Sequence, residues 1–542
     1  MKARHLIFLM ALALFLTSTN QSQAMVSVKD FGAVGDGLVN DTRAIQMAIN
    51  SVTSGSVHFP PGTYRTASPI HLRSNVNLTG DRATITYISP SSNNAAFFVT
   101  GPLPVASNIG ISGFFFDGKG TWNSASFSNP YKAGKSVGFT NNQYGIHVSK
   151  GSSDIRIHNC EFSGLKTGIY TDGANNCRIT DNQFQNMGMS AITVRLTNNT
   201  LITNNIIRGV LGNQTPAGET SIERSSYADG IYIHSSHDVI VYNNVIENCA
   251  RIGIAVESDE KSPLCSRITI SGNSIHNMNS CRGGEVNAAI WVESKRADGT
   301  VTIVGNNCDN TGAVQGSKPA VGINSCHSTT LGNTIRGFSG SGVIGREMNV
   351  VANKIESNGV GVEFTWHPLQ TSLTRVVDNL ISDNSASGIL IENRGGIFVI
   401  QGNTIKDNGA SATSTTQKSG IAILKYIPEQ TSIIRNNIFI TSADEGATKG
   451  QLYSIYGDTG WRADFKPHNV INNQFLFLGK YSRLHPQNLS VAPCSFAQSP
   501  YSNTDALSLS EFGKENEKGN INNKFNQPDA RNLSSHTSSV TR

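Results

Sequence analysis

Gly230-Ile-Tyr-Ile-His234 is followed by Gly253-Ile-Ala-Val-Glu257, and the same phrase stands at Gly168-Ile-Tyr-Thr-Asp172 and Gly388-Ile-Leu-Ile-Glu392. A glycine followed by apolar residues at alternate places is the pattern of a short strand with one buried face. Outward from these phrases runs a second one: a short alternating strand, then Asn, then another apolar residue two positions on. It returns about twelve times between residues 155 and 475, with its Asn at 182, 205, 244, 273, 306, 333, 353, 379, 403, 437 and 473 and Cys160 in the first place. Gaps of roughly 20 to 39 residues exceed hairpin spacing and suit one coil of a solenoid. Asn182 through Asn473 are therefore expected as an internal ladder at one bend, each amide bonding the turn backbone and its neighbour.

Composition agrees. Only 15% of residues are charged and 52 are glycine, as short buried strands and tight turns require. Met1-Lys-Ala-Arg-His5 is basic and runs into an apolar stretch from Leu6 to Leu16, followed by Ser22-Gln-Ala24. That reads as a secretory signal peptide over residues 1–24, too short to span a membrane, and implies a periplasmic or secreted protein. Its removal lowers the formal charge of +5 to about +3, which leaves no nucleic-acid footprint. The eight cysteines have no C-x-x-C spacing, so they are expected to be structural, and their pairing stays open.

The segment Val26-Ser-Val-Lys-Asp-Phe-Gly-Ala-Val-Gly-Asp-Gly37 leads to Asn40-Asp-Thr-Arg-Ala-Ile-Gln-Met-Ala-Ile-Asn50. Asn40 or Asp41 can cap a helix whose Ile45, Ala48, Ile49 and Val52 share one stripe, and such a helix would cover the open end of the solenoid. Asp30-Phe-Gly-Ala-Val-Gly-Asp-Gly37, Asp41-Thr-Arg-Ala-Ile-Gln46 and Phe59-Pro-Pro-Gly-Thr-Tyr64 resemble the N-terminal motif of the pectate-lyase-like β-helix superfamily. That superfamily includes rhamnogalacturonases, polygalacturonases, phage tailspike depolymerases and mannuronan C5-epimerases. The resemblance implies an all-β, right-handed single-stranded parallel β-helix with an N-terminal capping helix over residues 25–480. The polar segment 481–542 is expected as a poorly ordered tail. The motif does not choose among the chemistries.

Aligning the coils on their Gly or Ala gives two outward rows. The outer reads Ser149, Asp172, Arg195, His234, Glu257, Glu293, Asn324, Arg346; the inner reads His147, Tyr170, Thr193, Tyr232, Ala255, Trp291, Gly322, Ile344. From Asp172 to Glu293 every outer position is ionisable, with aromatics beside it. At about 4.8 Å per rung this strip is roughly 20 Å long, a length that suits a linear acidic polysaccharide. Tyr170, Asp172, Trp291 and Glu293 are the expected substrate-binding groups. Interruptions at 208–226, 258–266 and 278–287 fall beside the same rungs.

Tyr227-Ala-Asp-Gly-Ile-Tyr-Ile-His234 resembles the Tyr-Gly-Phe-Asp-Pro-His strand of mannuronan C5-epimerases, with His234 at the histidine place. Tyr232 stands at the motif's Asp place and Asp229 at its Tyr place, so the two types of group are exchanged. Breaking or inverting a uronate at C5 needs a base, a cation for the developing enolate and an acid. His234 is the natural base, Arg195 the neutraliser, and Tyr232 or Tyr227 the acid, with Glu257 one rung on. This makes a uronate lyase or C5-epimerase the leading reading. A glycoside hydrolase would instead use Glu257, Glu293 and Asp229 as its carboxylate pair. A non-catalytic carbohydrate-binding or adhesive solenoid is the third reading. No cofactor is expected; Ca²⁺ is the ion the strip's carboxylates could take, although no Asp-rich loop collects enough oxygens.

Overall fold

In the computed structural model the described residues are 25–87, 96–100, 105–120, 143–210, 228–258, 263–278, 287–293, 300–313, 319–364, 373–392, 396–409, 411–412, 418–424, 430–442, 451, 453–457, 469–471, 473–477, 489–491 and 525–526. They form a right-handed parallel β-helix. Residues 1–24, read above as the signal peptide, lie outside the described residues. Of the C-terminal segment, two short strands are described: Leu489–Val491 pairs with Tyr453–Gly457, and Phe525–Asn526 with Gln474–Phe477.

Each coil turns inward at the repeating Asn. The side chains of Asn182 to Asn473 are all buried. Along the ladder each Nδ2 donates to the next Oδ1, as from Asn273 to Asn306 at 2.9 Å and from Asn306 to Asn333 at 2.9 Å. Each backbone N–H donates to the same oxygen, as from Asn306 to Asn333 at 2.8 Å. Cys160 begins the series by donating its N–H to Asn182 Oδ1. A buried amide with all its donors and acceptors filled costs little, which is why a polar residue repeats inside the core. The residue before each ladder Asn from Asn182 to Asn437 is left-handed: Asp181, Asn204 and Asn243 have φ of 57°, 56° and 54°. Asn, Asp and Gly tolerate that conformation best, and this explains the recurring Asn-Asn and Gly-Asn pairs.

At the N-terminal end, helix α1 (Thr42–Ser51) buries Ile45, Ala48 and Ile49 against the core of the first coils. Its cap is divided: Asn40 Oδ1 accepts from Thr42 N–H at 3.1 Å, while the buried Asp41 carboxylate accepts from Val34 and Gly35 N–H and ties the preceding loop. The six described cysteines are unpaired and buried. Burial pushes the thiols of Cys160 and Cys177 up to about 12, the condition of inert packing groups.

The sheet of interest contains β1 (Thr167–Asp172), β2 (Ser190–Arg195), β3 (Asp229–His234), β4 (Ile252–Glu257) and β5 (Ala288–Glu293). Ile169, Ile192, Ile231, Ile254 and Ile290 stack in register beneath it and are fully buried. The register corrects the predicted rows at one rung. Trp291 pairs with Asn324, and Asn324 with Ile344; Asn324 therefore belongs to the inner row and Gly322 does not. The small residue that aligns the coils there is Gly322 and not Ala320. A Cβ on Gly322 would lie 2.3 Å from Ile335 Cγ2 and 2.4 Å from the Gly342 carbonyl oxygen. Gly322→Ala is accordingly expected to cost about 2 kcal/mol by overpacking. Thermal unfolding indistinguishable from the parent would contradict this close approach.

Candidate functional site

The outer row exists as a physical line. Asp172, Arg195, His234, Glu257 and Glu293 pair in register on the five consecutive strands β1 to β5. Tyr170 and Tyr232 stand on the same outward face, and Trp291 packs half-buried against Tyr232, Ile252 and Ala255. Tyr227 lies outside the described residues, as does most of the three predicted interruptions.

Within the line the groups are already partnered. Arg195 Nη1 meets Asp172 Oδ1 at 2.9 Å, with 39% and 32% of the two side chains exposed. Tyr170 lies in hydrogen-bonding reach of the same guanidinium. Its ring stacks on Tyr144 at 5.0 Å and 17°, and His147 edges against it at 5.2 Å. Burial pushes the Tyr144 hydroxyl up to about 12, with Tyr170 and Asp172 adding to the shift. Burial lowers His147 against the pull of Asp172. Lys166 places its Nζ over the Tyr144 ring, 5.9 Å from the centroid. Tyr144, His147 and Lys166 thus join the predicted Tyr170 and Asp172 in one aromatic and charged group.

One rung pair further on, Tyr232 and His234 occupy alternate places of β3 with ring centroids 5.8 Å apart. The strand is locked just past His234: Ser235 is left-handed at φ 49°, and Ser236 Oγ donates to the His234 carbonyl at 2.9 Å. Ser235 N–H donates to the Glu257 carbonyl at 3.0 Å, which fixes β3 against β4 at this point.

The strongest feature of the site is a residue absent from the predicted set. Arg251, just before β4, donates Nη1 to Asp229 Oδ2 at 2.8 Å and Nη2 to Glu257 Oε1 at 2.7 Å. Asp229 is fully buried, whereas Glu257 keeps 16% and Arg251 18% of its side chain exposed. Burial drives the Asp229 carboxyl up to about 7 although Arg251 pulls the other way. Burial works against the Arg251 charge, but Asp229 and Glu257 outweigh it and hold the guanidinium protonated. Asp229 and Glu257, both predicted as catalytic carboxylates, thus meet one cation. Reading the outward row one alternate place upstream of each glycine would have found it, since that place carries Lys166 and Arg251.

The same contacts test Ca²⁺. The carboxylates closest to a shared site already hold a guanidinium, and among the described residues no group of three His, Cys, Asp or Glu side chains is placed to hold a metal ion. These residues do not fit a Ca²⁺ site. Among the described residues no helix is long and apolar enough to cross a membrane.

Residues 25–313 match the family model described as rhamnogalacturonase A/epimerase, pectate lyase-like. The chain is 40% identical over 82 residues to plasmin and fibronectin-binding protein A of Streptococcus pneumoniae, covering 14% of this chain and 11% of that protein. It is 35% identical over 106 residues to mannuronan C5-epimerase AlgE6 of Azotobacter vinelandii, covering 17% and 12%. The chain spans only about a tenth of the length of these curated relatives. Among solved structures it is similar to the pre-mature bacteriophage phi29 gene product 12, at 16% identity and a TM-score of 0.48 over 87% of this chain and 71% of that one.

Proposed function

We propose, from the premise that the chain belongs to the rhamnogalacturonase A/epimerase, pectate lyase-like family, that it is an exported enzyme acting on an acidic polysaccharide laid across β1 to β5. The reaction is proton transfer at C5 of a uronate, as in a lyase or a C5-epimerase. The observation that carries this reading is the pair Tyr232 and His234, side by side on β3 at 5.8 Å with Arg195 in register on the preceding strand. His234 takes the C5 proton. Tyr232 returns a proton to the opposite face in an epimerase, or gives one to the departing O4 in a lyase. Arg195 has more donors than Asp172 takes, and those turned to solvent neutralise the sugar carboxylate as the enolate develops. Similarity to an Azotobacter vinelandii mannuronan C5-epimerase is in keeping with this chemistry.

Glu257 and Glu293, in register on β4 and β5, favour a second reading as a glycoside hydrolase. Incubating the protein with a panel of anionic glycans separates the readings when unsaturated product, reducing ends and C5 stereochemistry are followed together. Unsaturated ends identify a lyase, inverted C5 without cleavage an epimerase, and reducing ends without unsaturation a hydrolase. No change in any glycan would leave an adhesive protein, in keeping with the similarity to a plasmin- and fibronectin-binding protein.

Trp291 offers a check on the groove itself. Its half-buried ring sits two rungs beyond His234 on the same face. Trp291→Ala should weaken glycan binding by about 1 to 2 kcal/mol while unfolding free energy changes by less than about 1 kcal/mol. Unaltered affinity with a large loss of stability would make Trp291 a packing residue.

A further inference from the structure

His234 lies between two differently charged neighbourhoods. On the N-terminal side stands Arg195 with Asp172; on its own strand are Tyr232 and Asp229; on the following strand are Arg251 and Glu257, with Glu293 beyond. Left to itself, Glu257, in register with His234 on the following strand, would place an uncompensated negative charge one rung from the imidazole. An opposite charge within a few ångströms favours the protonated ring, and a protonated ring cannot accept a proton. Arg251 stops this. One guanidinium meets both carboxylates, at 2.8 Å and 2.7 Å, and it is the planar fork of arginine that allows two separate carboxylates on different strands to be held at once.

We propose that Arg251 is a positioning residue that keeps His234 in its neutral, proton-accepting form, by pinning the Glu257 carboxylate on a buried Asp229 anchor and cancelling the Glu257 charge. The inference rests on the reading of His234 as the C5 base. It adds a residue that does not touch substrate but sets when that base works. Three features of the site fit such a task and not general stability alone. The anchor Asp229 is fully buried and the clamp spans two strands, so Glu257 is fixed relative to β3, the strand that carries His234. Glu257 alone of the clamp's carboxylates keeps exposed surface and shares the outward row with His234. Arg251 itself keeps only 18% of its side chain exposed, so the clamp is held in the fold and not loose in solvent.

The test is the titration of His234 followed by NMR on the full chain labelled at histidine, with His234→Gln identifying its resonance. In Arg251→Met, Glu257 is released with its charge and a cation is lost, so the His234 midpoint should rise by about one pH unit. Arg251→Lys retains the charge but lacks the fork, so its midpoint should lie between the two. Arg251→Met could fail to fold by leaving Asp229 buried without its cation; the double variant Asp229→Asn/Arg251→Met removes that charge and should show the same rise. The acid limb of the kcat profile on the uronate polymer should move upward in step with the NMR midpoint. A midpoint in both methionine variants within about 0.2 units of the parent would overturn the inference, as would full recovery by lysine. The NMR reading is independent of turnover. A parent protein inactive on every uronate would sink the proposed reaction while the titration still decided whether Arg251 sets the protonation of His234.

Discussion

His234→Ala is expected to lower kcat on a uronate polymer a hundred- to ten-thousand-fold, about 3 to 5.5 kcal/mol of barrier, while the polymer still binds. The imidazole stands in the outward row with Tyr232 at 5.8 Å on the same strand, and among the described residues no other histidine of these rows lies near this pair: His147 is three rungs away, edge-on to Tyr144 and Tyr170. Removing it deletes the base and leaves Arg195, Tyr170 and Trp291 to hold the chain. Glu257→Gln tests the alternative. In the proton-transfer reading the Glu257 charge is already met by Arg251, so the amide should retain most activity. A hydrolase using Glu257 and Glu293 predicts the reverse ranking, with Glu257→Gln inactive and His234→Ala merely impaired. Near-parental kcat in His234→Ala would retire the lyase or epimerase reading.

The coil architecture was legible because two independent periods repeat together, the alternate apolar places of each strand and the Asn at each bend. A buried polar residue recurring at one phase is hard to obtain by chance, and Asn182 to Asn473 are the ladder the sequence predicts. Where the pattern failed, it failed for reasons of parity and range. Choosing Ala320 over Gly322 shifts the strand by two residues, which keeps every side chain on its own face, so alternation cannot detect the slip; only the close approach of Gly322 to Gly342 does. A second ladder, Asn358, Asn384 and Asn408 ending on Gln451, also went unread. The same place holds Met187, Val210 and Cys249 in the N-terminal coils, so no period runs the length of the chain. Arg251 escaped because it precedes its strand and reaches its partners through a long side chain. One of those partners, Asp229, is on another coil. Which face a residue takes follows from period two, but which carboxylate a flexible cation selects does not.

Asn306→Ala should destabilise the protein by about 3 to 5 kcal/mol, the largest loss expected from a single substitution away from the site. Asn306 donates Nδ2 to the Ile270 carbonyl at 3.0 Å and to Asn333 Oδ1 at 2.9 Å, while its Oδ1 accepts from Asn273 N–H and Nδ2, both at 2.9 Å. Alanine removes all four and supplies nothing in return. The Ile270 carbonyl and the Asn273 donors would remain in a dry bend, and each stranded group costs roughly 1 to 3 kcal/mol. The loss should also be felt along the stack, because each coil is stabilised chiefly by its two neighbours and an interface weakened in the middle divides the solenoid into two shorter arrays. Denaturant unfolding should then show a lower midpoint with a broadened or split transition. Lys354→Ala, which removes only the exposed ion pair to Glu356, should change stability by less than about 0.5 kcal/mol. If Asn306→Ala behaved like Lys354→Ala, the amide ladder would be a consequence of coil stacking and not one of its causes. The stack would then depend on its isoleucine and phenylalanine columns, where Phe116, Phe162 and Phe184 lie at 4.8 Å from ring to ring.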